Sequence, residues 1–173
     1  MIKLLIAGCA AAICAGAANA EVKSASASHF EIESKLIVAA SPAEAYRMLG
    51  RIGEWWSKDH TYSGDAANLS LDLRAGGCFC EKVADGGTIE HLRIVYARSG
   101  QALRAQGGLG PLQAEAVTGT LSWTLKPTAA GTEITQNYIV AGHARSGLDK
   151  LAPLVDGVMA AQLAGLERRL KGK

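Results

Sequence analysis

The chain has 173 residues, of which 49% are hydrophobic, with four cysteines and a formal net charge of +2. That length suits one domain with a proper core and room for a cavity. The near-balanced charge argues against a nucleic-acid partner or an anionic membrane surface, either of which calls for a dense basic face.

Met1-Ile2-Lys3 forms a short positive lead, an uncharged apolar stretch runs from Leu4 to about Gly16, and Ala18-Asn19-Ala20 supplies small residues at the spacing signal peptidase accepts. Residues 1–20 are therefore expected to be a cleavable secretory signal, placing the protein in the periplasm or outside the cell. The stretch is too short for a spanning helix of ~20 residues, so no membrane span is expected after cleavage. Ile6-Ala7-Gly8-Cys9 also resembles a lipoprotein processing site, but it would leave only a few apolar residues before Cys9 and ranks below cleavage after Ala20. One lysine and no acid leave with the signal, which takes the net charge from +2 to +1.

Residues 21–28 are small, polar and aperiodic, and are expected to be a flexible lead-in. Phe30, Ile32, Ser34, Leu36 and Val38 alternate with charged residues, which predicts a half-buried strand. Ser41-Pro42-Ala43-Glu44 is a helix start with an N-cap, a proline at the first helical position and a capping-box glutamate. The helix turns Ala45, Met48, Leu49 and Ile52 inward and ends near Gly53, just before Trp55 and Trp56. Residues 57–65 are loop-like and rich in side-chain hydrogen-bonding groups.

Strands are predicted at 69–73, 78–83, 88–97, 101–106, 118–126 and 132–140, separated by glycine-bearing turns. The second and third of these form a hairpin around residues 84–87, with Leu92, Ile94 and Tyr96 on one face of the third. Residues 107–112 are a glycine-rich interruption without the Gly-Lys-Ser/Thr of a phosphate loop. Leu151, Val155, Val158, Met159, Gln162, Leu163, Leu166 and Leu170 then recur at helical spacing, with Asp149 as the expected N-cap. The basic residues Arg168, Arg169, Lys171 and Lys173 suit a helix C-terminus. Strands segregated from helices in this order mean an α+β fold.

The order of these elements resembles the START-like superfamily (SRPBCC, the helix-grip fold), closest to its polyketide-cyclase/dehydrase-like and ATPase-activator-homologue-like branches. The resemblance is carried by Ala40-Ser41-Pro42-Ala43-Glu44-Ala45-Tyr46, Trp55-Trp56, Leu73-Arg74-Ala75-Gly76-Gly77, Gly131-Thr132-Glu133-Ile134 and the Leu163-Leu166-Leu170 helix. It covers residues 29–170 as a single ligand-binding domain. It implies a curved antiparallel sheet of about six to seven strands wrapped around a long C-terminal helix, with a short helix after the first strand. It also implies a cavity between sheet and helix that takes a small apolar molecule such as a lipid, an aromatic or a polyketide. The signal peptide and the Cys78-Phe79-Cys80 pair depart from many members.

Within that frame Trp55, Trp56, His60, Tyr62, Tyr96, Trp123 and Tyr138 are the candidate ligand contacts. Glu81 and His91 are the candidate acid/base residues if the protein is an enzyme. Glu90 is expected to pair with Glu81 across the hairpin, and Asp59 sits beside His60. With Val83 opposite Thr88, Cys80 would face His91 and Cys78 would lie one step along, a set that suits zinc or copper(I). A register slip of one residue separates them, so no cofactor is the first expectation. Residues i and i+2 of a regular strand stand too far apart for a disulfide, so Cys78 and Cys80 are expected as free thiols unless the strand is bulged. A binding protein or carrier ranks first, an enzyme (cyclase, dehydratase or isomerase) second, and a metal or redox role third.

Overall fold

The computed structural model describes residues 19–172. The expected signal segment, with Cys9 and Cys14, lies outside the described residues apart from the backbone at positions 19 and 20. Strands β1 (Asn19–Ser26), β2 (His29–Val38), β3 (Leu69–Leu71), β4 (Cys78–Lys82), β5 (Thr88–Arg98), β6 (Ala102–Gln106), β7 (Ala116–Thr128) and β8 (Gly131–His143) form one sheet. Its order is β1-β2-β8-β7-β6-β5-β4-β3, and every pairing is antiparallel. Helix α1 (Pro42–Gly50) follows β2, and α2 (Leu148–Leu170) closes the chain. This is the α+β helix-grip architecture that the resemblance implied, with a curved sheet and a long C-terminal helix.

Alternation builds the sheet's inner face. Phe30, Ile32, Leu36 and Val38 of β2 are buried beside Ile134, Tyr138 and Val140 of β8 and Leu121, Trp123 and Leu125 of β7. From α2, Leu148, Ala152, Met159, Leu163 and Leu166 pack into that core. A polar chain joins the two layers: Trp123 Nε1 donates to Gln136 Oε1 at 2.9 Å, and Gln136 Nε2 donates to the Met159 carbonyl at 3.1 Å. Both polar side chains are thereby satisfied inside the core.

Helix α1 starts as its sequence dictates. The Glu44 amide donates to Ser41 Oγ at 3.3 Å, and the Ser41 amide donates to Glu44 Oε2 at 2.8 Å. The helix ends at Gly50, three residues earlier than expected, and a single 3-10 turn at Ile52–Glu54 carries the chain on to the tryptophans. Helix α2 is capped by Gly147 at φ 85° rather than by Asp149, because the Leu148 amide is tied to the Ala27 carbonyl at 3.0 Å. The helix therefore begins before Asp149 and takes Pro153 into its second turn. Further along, Gly165 lies flush against the Trp55 carbonyl, where any Cβ would collide.

Residues 21–28 correct the sequence reading. Most of this segment is strand β1, paired along β2 from Asn19 opposite Lys35 to Ser26 opposite His29. Its run of Ser and Ala has no apolar period, so the pairing is made by main-chain hydrogen bonds that side-chain pattern does not report. β1 brings the strand count to eight, against an expected six to seven.

Strand β5 carries two register shifts. Phe79 pairs with Leu92 but Cys80 pairs with Glu90, leaving His91 as an extra residue. Ile94 pairs with Ala105 but Tyr96 pairs with Arg104, leaving Val95 as another. A bulge re-aims side chains locally. The first turns both His91 and Leu92 inward, and the second sends Val95 and Tyr96 outward.

Candidate ligand cavity

A cavity of about 450 Å³ lies between the first half of α2, the 56–62 segment and the 109–112 turn. Trp56, Leu109, Leu112, Leu151, Val155 and Met159 give it an apolar lining, and His91 stands in its wall. That volume falls in the range that accommodates small organic ligands. The glycine-rich interruption of the sequence is thus a wall of the cavity. Tyr138 holds it in place: its hydroxyl accepts from the Leu109 amide and donates to the Gly107 carbonyl, each at 3.1 Å. Burial pushes the Tyr138 phenol up to about 12, against the opposing effect of the Leu109 amide. Gly119 leaves the room that this ring occupies, since a Cβ there would meet the phenol oxygen at 2.6 Å.

One of the cavity's polar lining residues, His91, belongs to a buried pair with Glu81. Alternation along β4 turns Phe79 and Glu81 inward, and the β5 bulge brings His91 to meet them. His91 Nε2 lies 2.9 Å from Glu81 Oε2, with Glu81 1% and His91 5% exposed. Glu81 also accepts from the Tyr62 amide at 3.1 Å and the Ser63 amide at 2.5 Å. Desolvation works to raise the Glu81 carboxyl, but the Ser63 side chain, the Ser63 and Tyr62 amides and His91 outweigh it and hold the group below the ordinary carboxylate range. The Tyr62 and Phe79 rings pack against the imidazole, with centroids at 5.9 and 4.8 Å. The Tyr62 hydroxyl donates to the Gly110 carbonyl at 3.0 Å, joining the two loops that bound the cavity.

The expected ligand contacts divide. Trp56, His60 and Tyr62 line the cavity, as do Asp59 and Thr61. Trp56 is fixed by its indole N–H to the His60 carbonyl at 3.1 Å and by an edge contact with Phe79 at 5.2 Å. Trp55, Trp123 and Tyr138 belong instead to the packed core, and Trp55 donates its indole hydrogen to the Met48 carbonyl at 2.9 Å. Tyr96 stands on the outer face under Arg104, 5.7 Å from its ring, because of the second bulge in β5. Sequence reasoning missed the cavity role of Leu109–Leu112. It had read Leu151, Val155, Val158 and Met159 as a helix stripe without knowing that this stripe faces open space.

Three further expectations are corrected. Glu90 does not pair with Glu81: it lies on the outer face, where Arg93 Nε donates to it at 3.1 Å. Lys82, not Val83, faces Thr88, so Cys80 faces Glu90 and the set of Cys78, Cys80 and His91 is broken. Cys78 and Cys80 are joined in a disulfide across Cα atoms 5.3 Å apart, within the span a bridge needs, so they are not free thiols even though the extra residue of the irregularity, His91, sits on β5 and not on their own strand. The acidic neighbour of the two sulfurs is Glu90. Sulfurs bonded to each other are not the thiolate ligands that zinc or copper(I) takes.

No protein-family model matches the sequence, and no curated protein matches it. The fold has many solved relatives. A protein from Rhizobium leguminosarum superposes with a TM-score of 0.60 at 18% identity, covering 90% of this chain and 99% of its own. CalU16 from Micromonospora echinospora gives 0.60 at 14% identity, covering 90% and 83%. The di-domain ARO/CYC StfQ of the steffimycin biosynthetic pathway gives 0.57 at 16% identity, and the match spans 84% of this chain and 52% of StfQ. The chain therefore shares the α+β fold of these structures, an antiparallel sheet with a long C-terminal helix.

Proposed function

We propose that this protein binds a small, largely apolar molecule in the cavity between sheet and α2, and that it does so in the periplasm or outside the cell. The observation that carries the reading is the cavity itself: about 450 Å³, mostly apolar in lining, with His91 in its wall held by the buried Glu81 behind it. Sites of that description bind small molecules by burying apolar surface and orienting it through a few polar groups. The fold shared with the di-domain ARO/CYC protein StfQ supports the same reading. The signal-like residues 1–20 support export, and no helix among the described residues is long and apolar enough to cross a membrane. Ligand release needs no cofactor in this scheme.

A second reading, acid–base catalysis on the bound molecule as in a cyclase, dehydratase or isomerase, is favoured by the Glu81–His91 hydrogen bond. A carboxylate orienting an imidazole beside a substrate cavity is a general-base arrangement.

Native mass spectrometry of exported protein, before and after denaturing release, tests binding and location together. The binding reading expects a co-purifying organic mass that Val158→Trp, which fills the cavity, removes without lowering the melting temperature. It falls if wild type and Val158→Trp bind a panel of apolar fluorescent probes equally. The export reading expects a mature chain starting at Glu21 in the periplasmic or extracellular fraction and falls if the protein is found only in the cytoplasm with residues 1–20 retained.

A further inference from the structure

The Glu81–His91 pair states a direction for the ligand's hydrogen bond. Glu81 receives three N–H groups, from the Tyr62 amide, the Ser63 amide and His91. An ionised carboxylate only accepts, so the hydrogen between Glu81 and His91 belongs to Nε2. In the uncharged ring the other nitrogen, Nδ1, is then a bare acceptor. Among the described residues no donor reaches it, whereas the ring's remaining neighbours are the Tyr62 and Phe79 rings and the apolar cavity. Nδ1 is not among the fully buried atoms left without a partner, so water can reach it from the cavity, and a ligand that displaces that water has to supply a donor in its place.

We propose that the ligand donates a hydroxyl hydrogen, phenolic or enolic, to His91 Nδ1. In this arrangement Glu81 does not touch the ligand: it is a positioning residue that fixes the imidazole's orientation and tautomer. A ligand presenting a carboxylate or an ether oxygen at the same place meets acceptor with acceptor and is disfavoured. The inference rests on the cavity reading above and names the polar handle that the apolar ligand carries.

Three probes of one ring system decide it: 2-naphthol, 2-methoxynaphthalene and 2-naphthoate, titrated against the exported mature protein by fluorescence. The naphthol is expected to bind about fivefold to tenfold tighter than the ether, the margin of one net hydrogen bond, with the naphthoate weakest. In His91→Phe the naphthol-to-ether ratio falls to about one while the ether's affinity holds. In Glu81→Gln the amide NH2 must face either the Ser63 amide or the Tyr62 amide and Nε2: the ratio holds where nitrogen-15 shifts show Nε2 keeping its hydrogen, and falls to one or reverses where they show the hydrogen moved to Nδ1. Nitrogen-15 shifts of the His91 ring in the wild type do not depend on any variant folding: Nδ1 without hydrogen supports the inference, and a protonated Nδ1 overturns it. Equal binding of naphthol and ether by wild type overturns it, as does tightest binding of the naphthoate or a preference that survives His91→Phe. If none of the three binds, the cavity reading falls first and the hydroxyl inference falls with it.

Discussion

Replacing Glu81 with alanine removes the shared acceptor of three N–H groups at once, the amides of Tyr62 and Ser63 and Nε2 of His91. Each buried donor left without a partner costs about 1–3 kcal/mol. The three do not count equally, because Tyr62 is 53% exposed and water can reach its part of the loop, whereas His91 is 5% exposed. A loss of about 3–5 kcal/mol, typical of breaking a buried pair, follows from His91 in full and the two amides in part. For a domain of this size that lowers the melting temperature by roughly 6–20 °C. Urea unfolding measures the global loss, and native-state hydrogen exchange at the Tyr62 and Ser63 amides measures the local one. Both amides are expected to lose protection by more than the protein as a whole. A loss below about 1 kcal/mol, or a global loss with the two amides no more affected than the rest, would show that Glu81 does not hold the 57–65 loop. The reasoning would then be wrong.

The acid limb follows from the same carboxyl. Its folded value lies below the ordinary range, so its stabilisation is complete above about pH 4.3, the ordinary glutamate value, and is lost as pH falls toward the folded value. Glu81→Gln should flatten that part of the stability–pH curve, and an unchanged curve would contradict it. Tyr138 acts at the other end. Its phenol is raised to about 12, so stability is full below about pH 10, the ordinary tyrosine value, and declines as pH climbs toward 12. Tyr138→Phe should cost about 1–3 kcal/mol and remove the phenol that ionises last in a spectrophotometric titration. Within α2 one substitution should have opposite signs at two positions. Gly157→Ala meets nothing and gains up to about 1 kcal/mol of helix propensity, whereas Gly165→Ala runs into the Trp55 carbonyl and costs about 1–3 kcal/mol; calorimetric melting of both variants checks this. Finally, Cys78→Ser/Cys80→Ser opens a loop of only three residues. The loop-entropy relation gives about 1.6 kcal/mol for it, or about 3–6 °C. Alkylation of denatured, unreduced protein should leave both cysteines unlabelled, and labelling of either would refute the bridge.

Where side chains follow the backbone period, the sequence was a faithful guide. The alternation in β2, β7 and β8 and the capping box of α1 lie where their residues put them. The helical stripe of α2 was equally readable, but periodicity identifies an apolar face without saying whether a sheet or a cavity lies opposite it. The β5 bulges left no such trace. Neither His91 nor Val95 is a glycine or otherwise marks an extra residue, yet each resets the period. Missing the one-residue slip in the turn placed Cys80 opposite His91, and missing the second bulge kept Tyr96 on the inner face. Trp55, Trp123 and Tyr138 were over-read for another reason: a large ring fills a core as readily as it lines a cavity, and only the packing separates the two.

The two outer strands of the sheet bear on how the protein behaves when crowded. β3 has three residues and offers little backbone for another chain to pair with. β1 is longer, but its register breaks between Val22 and Ser24, and its exposed Lys23 and Glu21 form an ion pair at 3.0 Å. Irregularity and charge on an outer strand discourage edge-to-edge growth. Among the described residues, neither border of the eight-stranded sheet therefore presents a flat template to a neighbouring copy, which discourages growth into fibrils at high concentration.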